Sequence, residues 1–146
     1  MDLAELEQKH DRLQTHILIG VSIGAVGSAL SELLELTGSP LPLDMFLSIL
    51  TMAGWVFAIW ALIRTANVAK HPQFKVLARD ERYASLRAEA CAAGFAAMIV
   101  VQLVFLIGND VLNKLIETDL NASFVASTSI AIGFVASLGR FVYLNR

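Results

Sequence analysis

One cysteine, three prolines and long stretches with no charge at all describe what this chain of 146 residues has little of. Cys91 alone cannot close an internal disulfide, so no redox framework supports the fold. It is expected as a small buried residue at the start of the third hydrophobic run, with acylation as the weaker alternative. Pro40, Pro42 and Pro72 are confined to connections and interrupt no hydrophobic run. No metal-ligand spacing, nucleophile–base pairing or Gly-rich phosphate loop occurs, so no enzyme, metal or cofactor is expected. A membrane haem needs two His on facing helices, and of His10, His16 and His71 only His16 lies near such a run.

Charge is absent from residues 45–63, 90–108 and 120–139, and the run from 17 to 36 is interrupted only by Glu32 and Glu35. Each run approaches the ~20 residues that a helix needs to cross ~30 Å of hydrocarbon. With 56% hydrophobic residues and a mean hydropathy of +0.64, an ordinary soluble bundle is excluded. The fold class is therefore all-α: a single integral membrane domain over 1–146, with spans near 16–36, 44–65, 87–108 and 120–142.

Of the 11 Lys and Arg residues, all but Lys114 lie before the first run, between the second and third, or after the fourth. The positive-inside rule then predicts an antiparallel four-helix bundle with both termini in the cytoplasm, in a bacterial inner membrane. The basic rim attracts anionic headgroups. Its basic residues alternate with acids and carry no folded domain, so nucleic acid is not expected as a partner. The chain opens on Asp2, Glu5 and Glu7, and its first run exceeds a signal-peptide core, so that run is expected to remain in the protein.

Leu3, Leu6, His10, Leu13 and Ile17 share one face of the N-terminal segment. This short amphipathic helix is expected to lie on the membrane or, more readily, against a neighbouring subunit. Gly38, Pro40 and Pro42 mark the first outer turn, and Asp44 is expected to cap the second helix. Residues 109–119 are expected as the second outer turn, containing one short helical piece.

The runs also share a seam of small residues: Gly20, Gly24, Gly27 and Ser31 in the first, and Thr51, Gly54, Ala58 and Ala61 in the second. In the fourth it reads Ala122, Ala126, Ser129, Gly133 and Ala136, while the third is Ala-rich. Small residues at heptad spacing let helix backbones approach closely, and in lipid such packing drives association.

Few polar groups lie within the runs. Glu32 and Glu35 sit near the outer end, where they are solvated, pair with Lys114, or form the acidic vestibule of an ion channel. Gln102 lies near mid-membrane and is expected to bond to another helix. Hydroxyls of the fourth run (Ser123, Ser127, Thr128, Ser129, Ser137) make it the candidate for a pore wall. Proton-coupled small multidrug exporters are similar in size, but they depend on a deep carboxylate that this first run lacks.

Asp80, Glu81 and Arg82, then Leu86 and Ala88-Glu89-Ala90, lead into the third run. This pattern resembles that of small four-helix bacterial and archaeal membrane proteins of uncharacterised function, which carry an Asp-Glu-Arg element ahead of the third helix. The resemblance implies the same topology and no known activity, with Arg82 at the headgroups or the motif docking a cytoplasmic partner. The expected function is non-enzymatic: helix packing in the bilayer, as a homo-oligomer or as an accessory subunit among other membrane subunits. The alternative is an oligomeric ion channel or pore.

Overall fold

The computed structural model describes residues 3–38, 41–72, 74, 81–116 and 122–145. These form four helices, α1 (Leu3–Thr37), α2 (Leu41–Ala69), α3 (Glu81–Ile116) and α4 (Ala122–Leu144), with no strand among the described residues. All four are long and apolar enough to cross a membrane. The 35 residues of α1 extend about 52 Å at 1.5 Å per residue, well beyond a ~30 Å hydrocarbon layer. The excess is the charged N-terminal segment holding Lys9, Asp11 and Arg12, which continues the first span without a break.

Two helix ends differ from expectation. Helix α2 begins at Leu41, so Pro42 and Asp44 lie in its first turn. Proline is tolerated there because its missing N–H would have had no helical partner. Asp44 is thus a first-turn acid rather than the cap, and it accepts a 2.9 Å hydrogen bond from Ser31 Oγ across the turn. Helix α3 runs on to Ile116 through the first part of the expected outer turn, since no proline follows Gly108 to stop it. Gly38, at φ +65°, ends α1 in the left-handed conformation that favours glycine.

The helices pack as antiparallel neighbours in the order α2–α1–α4–α3. Among the described residues, α2 and α3 make no extensive contact with each other, so that side of the bundle is open. The first seam is a backbone contact. A Cβ on Gly54 would stand 2.5 Å from Gly24 N and 2.9 Å from Gly20 O, and one on Gly20 would stand 2.7 Å from Ala58 N. Higher up, Gly27 faces Thr51. Between α3 and α4, Gly94 meets Ser137 and the Gly133 carbonyl, and Gly133 meets Met98. Larger side chains join the two pairs: Leu18 of α1 packs on Leu86, Ala90 and Phe141.

Leu6, His10 and Leu13 of the N-terminal stripe are covered by the chain itself, which corrects the expectation of a neighbouring subunit over them. Leu6 and Leu13 are buried against Val68 near the end of α2, with Phe74 packed on the cluster. The return of the chain after α2 supplies the cover, because α1 projects far enough to meet it.

The backbone contact gives a paired test in detergent-solubilised protein. Gly54→Ala should lower thermal stability by about 1–3 kcal/mol, the usual cost of overpacking, because backbone rather than a flexible side chain must move. Gly139→Ala, whose Cβ would meet nothing within 4 Å, should be neutral or slightly stabilising.

Candidate functional site

The sequence-derived seam residues divide by position. Gly20, Gly24, Gly27, Gly54 and Ala58 are buried together along α1–α2, and Ser129 and Gly133 are buried on α4. Ser31 is half-buried at the upper end of the seam and donates to Asp44. Ala126 is exposed, outside the contact face that Phe124, Ser129, Ala131 and Gly133 define. Two of the α4 hydroxyls are engaged in packing within the chain. Ser129 Oγ, fully buried, donates to Val125 O at 2.7 Å, and Ser137 packs on Gly94. A hydroxyl that bonds its own helix carbonyl needs no outside partner. Trp55 lies over Gly24, where a Cβ would meet its ring at 2.9 Å, so its depth is explained within the chain.

At the acidic end, α1 and α2 flank a groove of about 860 Å³. Glu32, Glu35 and Asp44 line it together with Ser28, Ser48 and Thr51. Glu32 accepts a 2.5 Å hydrogen bond from Ser123 Oγ of α4, while Glu35 is exposed. The groove thus gathers three carboxylates, one more than the sequence reading placed there, because Asp44 swings in with the first turn of α2. Three carboxylates at one rim attract cations, yet the α4 hydroxyls lie mostly elsewhere, apart from Ser123. Lys114 lies in α3, but its side chain is not among those described, so the expected pairing falls outside the described structure.

The opposite end carries the basic residues and a buried histidine. His10 is 2% exposed, with its ring edge-on to Phe74 at 5.1 Å. Its Nε2 lies 2.9 Å from Gln14 Nε2 and 3.3 Å from Arg87 Nη2, both hydrogen donors. An acceptor Nε2 fixes the neutral ring with its proton on Nδ1. Burial first, and the Arg87 charge second, hold the His10 pKa below its ordinary 6.5. Nearby, Arg140 closes α4 onto α3 through Glu89 at 2.7 Å. Glu81 and Arg82 are exposed at the start of α3, and Asp80 lies outside the described residues. Cys91 is exposed, against the expectation of burial, because Ala90 and Gly94 occupy the face toward α4.

Helix α3 holds a second face that sequence reading passed over. It is the least buried span, with 11% of its most apolar window inside the structure against 33% for α1. Ala88, Ala92, Phe95, Ile99, Gln102 and Leu106 recur at spacings of four and three, and every one is exposed. The signal was present as a heptad pattern, but the alanines around Gly94 obscured it by making both sides of α3 look alike. Gln102 sits within this stripe, about a quarter turn from the line facing α4. It makes no hydrogen bond to another described residue, so the interhelical bond expected of it is not made among the described residues.

Comparison with protein-family models, with curated proteins and with solved structures found no match for the chain.

The buried His10 makes stability depend on pH with a definite sign. Unfolded, the ring takes a proton near 6.5, whereas folded it resists doing so. The unfolded state therefore binds more protons on acidification, and stability present above that value falls as the pH drops through it toward the lowered folded value. Thermal midpoints of solubilised protein should decline between about pH 7.5 and 5.5. His10→Phe should flatten that part of the profile; an unchanged slope would assign the decline to other groups.

Proposed function

We propose that this protein is a non-enzymatic polytopic membrane protein that acts through helix packing, as a homo-oligomer joined along α3. In this reading its basic end faces the cytoplasm of a bacterial cell; the ten-to-one distribution of Lys and Arg supports that orientation. The observation that carries the proposal is Gln102. An amide facing hydrocarbon without a partner costs several kcal/mol on the order of its transfer free energy, whereas a helix–helix hydrogen bond in lipid is worth about 0.6–2 kcal/mol.

A primary amide both donates and accepts, so two copies of Gln102 satisfy each other across a two-fold axis. Ala88 and Ala92 leave room for close approach at the basic end, and Phe95, Ile99 and Leu106 fill the seam on either side of the amide. A single polar residue in such a heptad seam sets register and copy number. The same face could serve an accessory subunit only if a different helix offered a matching polar group.

Native mass spectrometry of gently extracted protein tests this directly. The expected result is a homo-oligomer whose dissociation constant rises about three- to ten-fold in Gln102→Leu. A single copy that remains bound to other polypeptides would make the protein an accessory subunit instead. A monomer with no companion would overturn both forms.

A second reading draws on the acidic groove. Were Glu32, Glu35 and Asp44 the outer mouth of an ion pathway, reconstituted vesicles would show cation flux that Glu32→Gln with Glu35→Gln lowers or makes less selective. Flux no greater than in empty vesicles would remove it.

A further inference from the structure

We propose that the cleft between α1 and α2 at the basic end binds the phosphate of an anionic lipid headgroup. The proposal is independent of α3 association and needs only that the helices span a bilayer. The cleft encloses about 440 Å³. Lys9 reaches it from α1, and Arg64, Asn67 and His71 reach it from α2 and the residues just after it. Its floor and walls are apolar, formed by Leu13, Val68 and Trp60.

The charges around this cleft are not paired with carboxylates among the described residues. Arg140 pairs with Glu89, and Arg87 contacts His10, but neither Lys9 nor Arg64 has a carboxylate partner among the described residues. Arg64 is held instead over the Trp60 ring, with its guanidinium carbon 5.4 Å from the centroid. Trp60 is steadied in turn by stacking on Phe57 at 5.7 Å. This fixes the direction of the guanidinium while leaving its N–H groups free for a ligand. His71 Nδ1 is buried and has no hydrogen-bond partner among the described residues. Asn67 adds an amide whose oxygen is already approached by Lys70 Nζ at 3.4 Å, leaving its NH2 to donate. The site thus offers two cations without a carboxylate partner among the described residues, together with the Asn67 amide and the His71 ring, a set suited to phosphate oxygens.

Depth selects the source of that phosphate. Arg64 immediately follows the uncharged run 45–63, so the cleft lies where the hydrocarbon of a bilayer gives way to its headgroups. Below it, Val56, Ile59 and Ile63 are each more than half exposed and offer acyl chains a continuous apolar track down α2. A ligand charged at one end and apolar along its length fits both parts; a free phosphate uses only the first. A choline headgroup would bring a cation beside Lys9 and Arg64. The site should therefore favour phosphatidylglycerol over phosphatidylcholine, in the manner of basic pockets between membrane helices.

Trp60 lines the cleft and reports on it. In a Trp55→Phe background it is the only tryptophan, since the chain has two. The protein would be placed in phosphatidylcholine vesicles with increasing fractions of phosphatidylglycerol carrying brominated acyl chains. Brominated phosphatidylcholine in phosphatidylcholine vesicles serves as the reference. Quenching should show preferential binding of phosphatidylglycerol. Lys9→Gln and Arg64→Gln should each weaken the preference about five-fold. Arg64→Lys should retain most of it, and Arg12→Gln, which removes the same charge from α1 outside the cleft, should leave it unchanged.

Native mass spectrometry of the unmodified chain, counting retained phosphatidylglycerol, gives an independent readout should Trp55→Phe fold poorly. Equal quenching by both lipids would overturn the site. So would an equal loss in Arg12→Gln, which would assign the effect to the general charge of the rim. Displacement of brominated phosphatidylglycerol by inorganic phosphate as readily as by unlabelled phosphatidylglycerol would assign the cleft to a soluble phosphate and overturn the lipid.

Discussion

The contact on which the rest of this structure depends is the approach of two backbones, α1 and α2, at Gly20, Gly24 and Gly54. In water, apolar helices are driven together by loss of exposed hydrocarbon surface; in a bilayer the surroundings are equally apolar, and that drive is absent. What remains is close packing, whose gain depends on how near the two helices come. Gly54 sits against Gly24 N and Gly20 O with no space for a methyl group. That contact sets the separation of α1 and α2, and with it both clefts between them. The acidic groove is lined from Glu35 and Asp44 past Thr51 to Trp55 and Ile59, and the basic cleft lies where Trp60, Arg64 and Val68 replace the small residues.

The two helix pairs are joined differently, and the difference has consequences. Helices α1–α2 and α3–α4 each close on glycine, but α1 meets α4 through Leu18 and Phe141, with the Glu32–Ser123 hydrogen bond at the far end. Side chains of that size hold backbones further apart and leave the bundle open along α2 and α3. The N-terminal third of α1 compensates at the basic end, where His10 reaches Arg87 of α3 and Leu6 is buried with Val68 beyond the α2 span. One long helix therefore touches every other helix, which makes α1 the organising element.

Much of this was legible in sequence because lipid imposes simple rules on it. Uncharged runs locate spans, and glycines at spacings of three and four locate seams; Gly24 and Gly54 could be read directly. Helix limits were less legible: Asp44 reads as a cap, yet Pro42 is accommodated inside the first turn, which carries Asp44 into the groove. The cover over Leu6 and Leu13 was invisible because it comes from Val68 and Phe74, more than fifty residues away, and no local pattern reports a distant return of the chain. The stripe through Gln102 was legible in principle, since its spacing is regular. It went unread because α3 is apolar on all sides, and periodicity distinguishes faces only when their compositions differ.

That last point explains which residues carry functional information in such a protein. Helices α2 and α3 expose large apolar side chains along most of their length, Ile49, Met52 and Val56 on one and Val100, Val104 and Ile107 on the other. On a soluble protein such surfaces would mark an interface. In a bilayer they are the expected lipid contact and single out no partner. Polar groups reverse the inference. Hydrocarbon cannot satisfy Gln102, and the proposed association along α3 would answer its exposure with another polar group at the same depth. Lys9 and Arg64 are satisfied by water or by headgroup oxygens, and they stand at the level where both occur. The exceptions to the apolar surface therefore point to different neighbours, a protein helix at mid-membrane and a lipid phosphate at its edge, because each position permits a different means of satisfying charge or hydrogen bonds.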